Sequence, residues 1–187
     1  MTRTKILMLS VSAGTGHTRA AEALRSYADS ANAEVSASHL DILRLVSPFL
    51  RLLYADFYMF LVRRAPALWG LLYRATNQAS RDGVAHRLRR WGERLNSHEL
   101  RVEIARARPD VIICTHFLPA DILSQLIAAG VVDCPVWVQV TDFDLHKMWV
   151  HERMTGYFAP NDEVAFQLLE QGIPAAAIHV TGIPIMP

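Results

Sequence analysis

Lys5-Ile6-Leu7-Met8-Leu9-Ser10-Val11-Ser12-Ala13-Gly14-Thr15-Gly16-His17-Thr18-Arg19-Ala20-Ala21-Glu22-Ala23-Leu24 reads as an apolar strand, a small-residue turn and a helix in immediate succession. Gly14 and Gly16 let the backbone turn sharply and approach a ligand without a Cβ in the way. The helix start behind them offers free N–H groups and a partial positive charge, which suits a phosphate or a carboxylate. His17 stands at the mouth of the turn, and its side chain can take a proton near neutral pH. The dinucleotide fingerprint needs a third glycine where Arg19 stands, so a nicotinamide cofactor is disfavoured. No Gly-Lys-Ser/Thr follows, which removes the P-loop as well. The plainer alternative is a tight strand-to-helix turn capped by a histidine.

Outward from this stretch, strands alternate with helical patterns. Ile6–Val11 is expected as the first strand, Thr18–Ser30 as its helix, and Val35–Leu40 as a second strand nearer the sheet edge. Asp110–Thr115, Pro135–Val140, Gly156–Ala159 and His179–Thr181 are further strands. Ala120–Ala129 and Asp162–Gln171 are helices. The alternation predicts an α/β, Rossmann-like parallel sheet with helices on both faces. Ligands of such sheets bind beyond the carboxyl ends of the strands, so the loops after Val11, Thr115 and Val140 should share one edge.

A chain of 187 residues with 51% hydrophobic and 20% charged residues can bury a sizeable single core and is not disordered. Arg3 and Lys5 precede a short apolar run, but the glycine turn follows at once, so a first strand explains it better than a signal peptide. No stretch is long and apolar enough for a transmembrane helix. Cys114 lies in the apolar run Val111–Cys114 and is expected as a buried thiol. Together with Cys134 it supplies neither a disulfide framework nor a zinc motif, which fits a reducing cytosol.

The net charge of +1 hides an asymmetry. Between Arg44 and Arg108 thirteen arginines face five acidic residues, whereas the remainder of the chain is acidic. This segment interrupts the strand–helix rhythm and reads as a mostly helical insertion at about 47–108. Phe57, Tyr58 and Phe60 crowd its first part, Arg63 and Arg64 end it, and Pro66, Trp69 and Tyr73 follow. Apolar groups would surround nearly the whole helix. One reading is burial against another domain or a dimer partner. The sharper one is contact with an anionic membrane surface, at the inner face of the membrane. A nucleic-acid groove would be less apolar and is not expected.

Thr141-Asp142-Phe143-Asp144-Leu145-His146-Lys147-Met148-Trp149-Val150-His151 follows the Pro135–Val140 strand, which would set Asp142, His146 and Trp149 on the ligand edge facing His17. A carboxylate there can orient a histidine and raise its basicity, and a tryptophan can stack on a sugar or headgroup. Asp142, Asp144, His146 and His151 do not have the spacing of a zinc site, and no metal is expected.

Taken together, Ser10-x-Ser12-x-Gly14-x-Gly16-His17-x-x-Ala20-Ala21-x-Ala23-Leu24, Pro66-Ala67-Leu68-Trp69-Gly70-Leu71-Leu72-Tyr73, the Pro109–His116 segment, Thr141–Trp149, Tyr157–Val164 and Thr181-Gly182-Ile183-Pro184 resemble the N-terminal, acceptor domain of monogalactosyldiacylglycerol synthases and processive diacylglycerol glucosyltransferases. The resemblance implies half of a GT-B glycosyltransferase that transfers a hexose from a UDP-sugar to diacylglycerol with inversion and without a metal or other cofactor. It implies His17 as general base, Gly14, Thr15 and Gly16 near the donor diphosphate, and Asp142, His146 and Trp149 on the acceptor side. It implies Pro66 and Trp69 in a lipid-facing element. The family's nucleotide-sugar domain has no counterpart in these residues, so a fused or separate donor half is expected as partner, and the chain alone is expected to be inactive. The alternatives are a noncatalytic membrane-anchoring subunit that presents the acceptor, and a glycosyltransferase for another lipid.

Overall fold

The computed structural model describes residues 3–12, 14–30, 34–45 and 97–187. These build one six-stranded, all-parallel sheet in the order β2-β1-β3-β4-β5-β6. The strands are β1 (Thr4–Ser10), β2 (Val35–Asp41), β3 (Val111–Cys114), β4 (Val136–Gln139), β5 (Gly156–Ala159) and β6 (Ile178–Val180). The helices are α1 (Gly16–Ser30), α2 (Ser97–Ala107), α3 (Phe117–Ala128) and α4 (Asp162–Glu170). The Rossmann-like parallel sheet is therefore as the alternation predicts, and β2 lies at the edge, as its polar pattern suggests.

The chain moves from β1 outward to β2 and then returns past β1 to β3. Right-handed crossovers put α1 on one face and the helices after β2 on the other. The reversal leaves a crevice between the carboxyl ends of β1 and β3, where open α/β sheets take their ligands. Interior strands covered on both faces need apolar side chains on both. Leu7, Met8 and Leu9 of β1 are accordingly buried on both faces, while β3 and β4 bury Ile112, Cys114, Val136 and Val138 and keep Val111, Ile113 and Trp137 half-buried. Burial pushes the Cys114 thiol far above its ordinary range, so it is inert packing.

Several helix boundaries differ from expectation. Helix α1 begins at Gly16 rather than Thr18. Helix α3 begins at Phe117 rather than Ala120, because the His116 side chain caps it by accepting a hydrogen bond from the Leu118 N–H. Pro119 is tolerated in the first turn, where its missing N–H has no intrahelical partner to lose. Ser97–Ala107 belongs to the expected insertion, yet Leu100 is buried and Ile104 packs on the core. These residues form a helix that covers the sheet. Phe57, Tyr58, Phe60, Arg63, Arg64, Pro66, Trp69 and Tyr73 lie outside the described residues.

Gly156 marks a tight point. A Cβ there would lie 2.4 Å from Trp137 Cζ3 and 2.7 Å from the Ala177 carbonyl oxygen. The missing side chain lets the Trp137 indole lie across β5 and stack on Phe158, with centroids 5.0 Å apart and planes at 17°. The backbone oxygen cannot move aside as a flexible side chain would. Gly156→Ala is expected to cost about 1–3 kcal/mol, read as a lower urea midpoint at unchanged slope; an unchanged midpoint would contradict this packing.

Candidate active site

The loops after β1, β3 and β4 meet at one edge of the sheet, as expected, and His17 is where they meet. Gly14 has φ +98°, a conformation few other residues adopt, and it turns the chain from β1 into α1. Ahead of that turn, the Ser12 N–H donates to Asp41 Oδ1 at 3.1 Å, and the Leu43 N–H donates to the same oxygen at 3.1 Å. Asp41, 7% exposed at the end of β2, thus ties the approach of the glycine loop to the neighbouring strand. Thr15 and Gly16 are exposed, and a Cβ built on Gly16 meets nothing within 4 Å. The start of α1 thus has room beside Gly16, where a helix has N–H groups without intrahelical partners.

The His17 ring is fixed through Nδ1. That atom lies 3.0 Å from the Thr115 carbonyl oxygen and 2.6 Å from Thr141 Oγ1. A carbonyl oxygen only accepts, so Nδ1 carries the proton and shares it between the two oxygens. Thr115 holds the residue a second time, its hydroxyl donating to the His17 carbonyl at 2.9 Å. Nε2 keeps its lone pair and makes no hydrogen bond to any described residue. Burial lowers the His17 pKa, while the Asp142 carboxylate and the Thr115 carbonyl pull it upward; burial dominates. The imidazole is thus neutral at pH 7 with its acceptor nitrogen uncommitted, which is the state a general base needs.

Asp142 acts on His17 through charge and not as a hydrogen-bond partner. Its Oδ2 accepts from Trp149 Nε1 at 2.8 Å. The orienting role expected of Asp142 belongs instead to Thr115 and Thr141. Trp149 is fully buried, with its centroid 6.0 Å from that of His17. In this arrangement the indole is covered, and its N–H serves the Asp142 carboxylate. His146 is 4% exposed, and its Nδ1 accepts from the Met148 N–H at 3.1 Å, capping the short 3-10 turn Lys147–Trp149. Asp144 Oδ1 accepts from Gln167 Nε2, and His151 Nδ1 faces Asp121 Oδ1 at 3.7 Å. Among the described residues, no three His, Cys, Asp or Glu side chains converge as a metal site would require.

Sequence reasoning passed over His116, although it ends the quoted Pro109–His116 segment. Its ring is 3% exposed and meets His17 edge to face, with centroids 4.5 Å apart and planes at 78°. Burial and the neighbouring His17 push its pKa well below the ordinary histidine value. Thr141 was missed as well. Only its place in the loop just beyond β4 hinted at its role.

The family model described as monogalactosyldiacylglycerol (MGDG) synthase matches residues 17–185. A processive diacylglycerol beta-glucosyltransferase from Bacillus cereus strain B4264 is 27% identical over 181 residues, covering 97% of this chain and 45% of that relative. The enzyme of the same description from Bacillus thuringiensis strain Al Hakam is 26% identical over 184 residues, covering 97% of this chain and 45% of the relative. The chain thus spans about half the length of these relatives. Among solved structures, UDP-GlcNAc 2-epimerase from Neisseria meningitidis bound to UDP-GlcNAc superposes with a TM-score of 0.52 at 15% identity, over 96% of this chain and 46% of that one. The lipopolysaccharide outer core galactosyltransferase WaaB, in its apo form, gives 0.52 at 13% identity, over 95% and 45% of the two chains. At these identities the structural likeness concerns the fold alone.

Proposed function

The chain belongs to the monogalactosyldiacylglycerol synthase family, and from this premise we propose that it is the acceptor-binding half of an enzyme that transfers a hexose from a UDP-sugar to diacylglycerol, inverting the anomeric carbon. The observation that carries the proposal is His17: neutral, held at Nδ1 by Thr115 and Thr141, and open at Nε2 on the ligand edge of the sheet. In this reading the free hydroxyl of diacylglycerol gives its proton to Nε2 while its oxygen attacks C1 of the sugar. The C1–oxygen bond to UDP breaks on the opposite face, and the electron pair leaves with the diphosphate. His17 becomes an imidazolium beside the Asp142 carboxylate, which offsets the new charge. Gly14, Thr15 and Gly16, at the open start of α1, lie on the side where the diphosphate approaches.

The nucleotide is held by a second domain, fused or separate, and the chain meets the inner face of the membrane through its basic, apolar segment around Phe57–Tyr73. Among the described residues no helix is long and apolar enough to cross a membrane, which is compatible with attachment at the surface. The experiment joins this chain to the donor domain of the Bacillus cereus relative and supplies UDP-glucose or UDP-galactose with diacylglycerol in mixed micelles. The expected product is a β-linked glycosyldiacylglycerol, identified by its anomeric proton coupling, with the unjoined chain inactive. An α-linked product, or hydrolysis of the UDP-sugar with no lipid product, would falsify the proposal.

A further inference from the structure

Beside the nitrogen that would take the acceptor's proton stands a second imidazole with the opposite tautomer. His116 Nδ1 accepts from the Leu118 N–H at 3.0 Å, so its proton sits on Nε2. No described residue accepts from that Nε2–H. Nor is it one of the side-chain atoms sealed from solvent without a partner, which are Thr18 Oγ1 and His151 Nε2. The ring is wedged between His17 at 4.5 Å and Phe117 at 4.1 Å, with Trp149 at 6.2 Å, so it is held in place while offering one donor. His17 Nε2 accepts and His116 Nε2–H donates, from adjoining rings at one strand edge.

We infer that His116 is a specificity residue that donates Nε2–H to a second oxygen of the acceptor, one carbon along from the hydroxyl that reacts at His17. The chemical class is a 1,2-dioxygenated alcohol, such as the glycerol backbone with its neighbouring ester. This rests on the acceptor reading given above. An alcohol with a single oxygen would leave the His116 donor unpaired, and a site built to bond an oxygen discriminates against an analogue that lacks it.

The experiment uses the 187-residue chain with 15N-labelled histidine and reads the ring nitrogens by two-bond proton–nitrogen correlation. In the free chain His17 is expected as the Nδ1–H tautomer and His116 as the Nε2–H tautomer. Adding 1,2-dihexanoylglycerol should shift Nε2 of both rings, whereas 1-octanol should shift only that of His17. UDP-glucose separates the acceptor from the donor sugar as source of the second oxygen and should leave His116 unmoved. His116→Asn keeps the cap but removes the Nε2–H, and should weaken dihexanoylglycerol binding about tenfold without weakening that of octanol. His116→Gln, which returns an N–H near that position, should recover part of the loss. His17 shifting with the diglyceride while His116 stays still overturns this assignment and leaves the acceptor reading intact. Neither ring responding to the diglyceride overturns both. Equal responses of His116 to octanol or to UDP-glucose, or an Nδ1–H tautomer at His116, overturn the assignment alone.

Discussion

His17→Ala is expected to lower kcat/KM for sugar transfer to diacylglycerol by about two to four orders of magnitude in the chain joined to a donor domain, the usual range for a positioned general base. The loss should appear in kcat, because the proton moves only as the hydroxyl attacks, and the alanine removes no contact that the ground state needs as strongly. The wild-type pH profile gives an independent reading. Burial lowers the His17 pKa more than Asp142 and the Thr115 carbonyl raise it. The imidazole is therefore neutral down to a lower pH than that of an ordinary histidine. The acid limb of kcat/KM should fall with an apparent pKa below 6.5, the ordinary value, and should be absent from the alanine variant. Among the described residues, two groups lie near enough to His17 to move that limb. The Asp142 carboxylate holds it up, and the His116 ring, itself kept neutral by burial, adds no opposing charge until well below its ordinary pKa. A near-normal rate for His17→Ala would remove this residue from the base role, and an acid limb above 6.5 would contradict the burial described.

Trp149→Ala should produce the largest loss of stability, about 3–5 kcal/mol, measured as the fall in unfolding free energy in urea. The side chain is the largest of those fully buried, and it packs with Phe117 at 6.0 Å and against both histidines of the site. Removing it leaves a cavity behind His17 and His116 and deprives Asp142 of its Nε1 donor. Trp149→Phe separates the two effects. It restores most of the volume while withholding the donor, so it should recover most of the stability and still leave Asp142 free to turn from His17. Equal stability of Trp149→Ala and wild type would show that the indole is not buried in solution.

The fold is legible because each strand is short, apolar and bounded by turn residues. Ile6–Leu9, Val111–Cys114 and Val136–Val138 all carry buried positions where their patterns put them. The loop chemistry is legible only in part. Gly14 announces its backbone conformation and His17 its position at a helix start. By contrast, the partners of His17 are 98 and 124 residues away in sequence, and no local pattern says which side chains will converge. The local hydrogen bonds of Trp149 and His146 were not legible, for a common reason. Amphipathic side chains beside a ligand edge look like ligand contacts, yet each has a polar atom that the fold uses for itself, the indole N–H on Asp142 and the imidazole on the Met148 N–H.

The anchoring of His17 also has a consequence for how the molecule matures. The Thr115 carbonyl that fixes the ring is delivered by β3, and the Thr141 hydroxyl arrives only beyond β4. Contacts that close such long loops are late rewards of a search that the chain must complete first. An incompletely folded chain therefore carries an ordinary, hydrated, freely rotating histidine, whose proton hops between the two ring nitrogens. The imidazole takes its fixed orientation and tautomer only when β1, β3 and β4 are in register, so an immature molecule lacks the arrangement that the proposed base role requires.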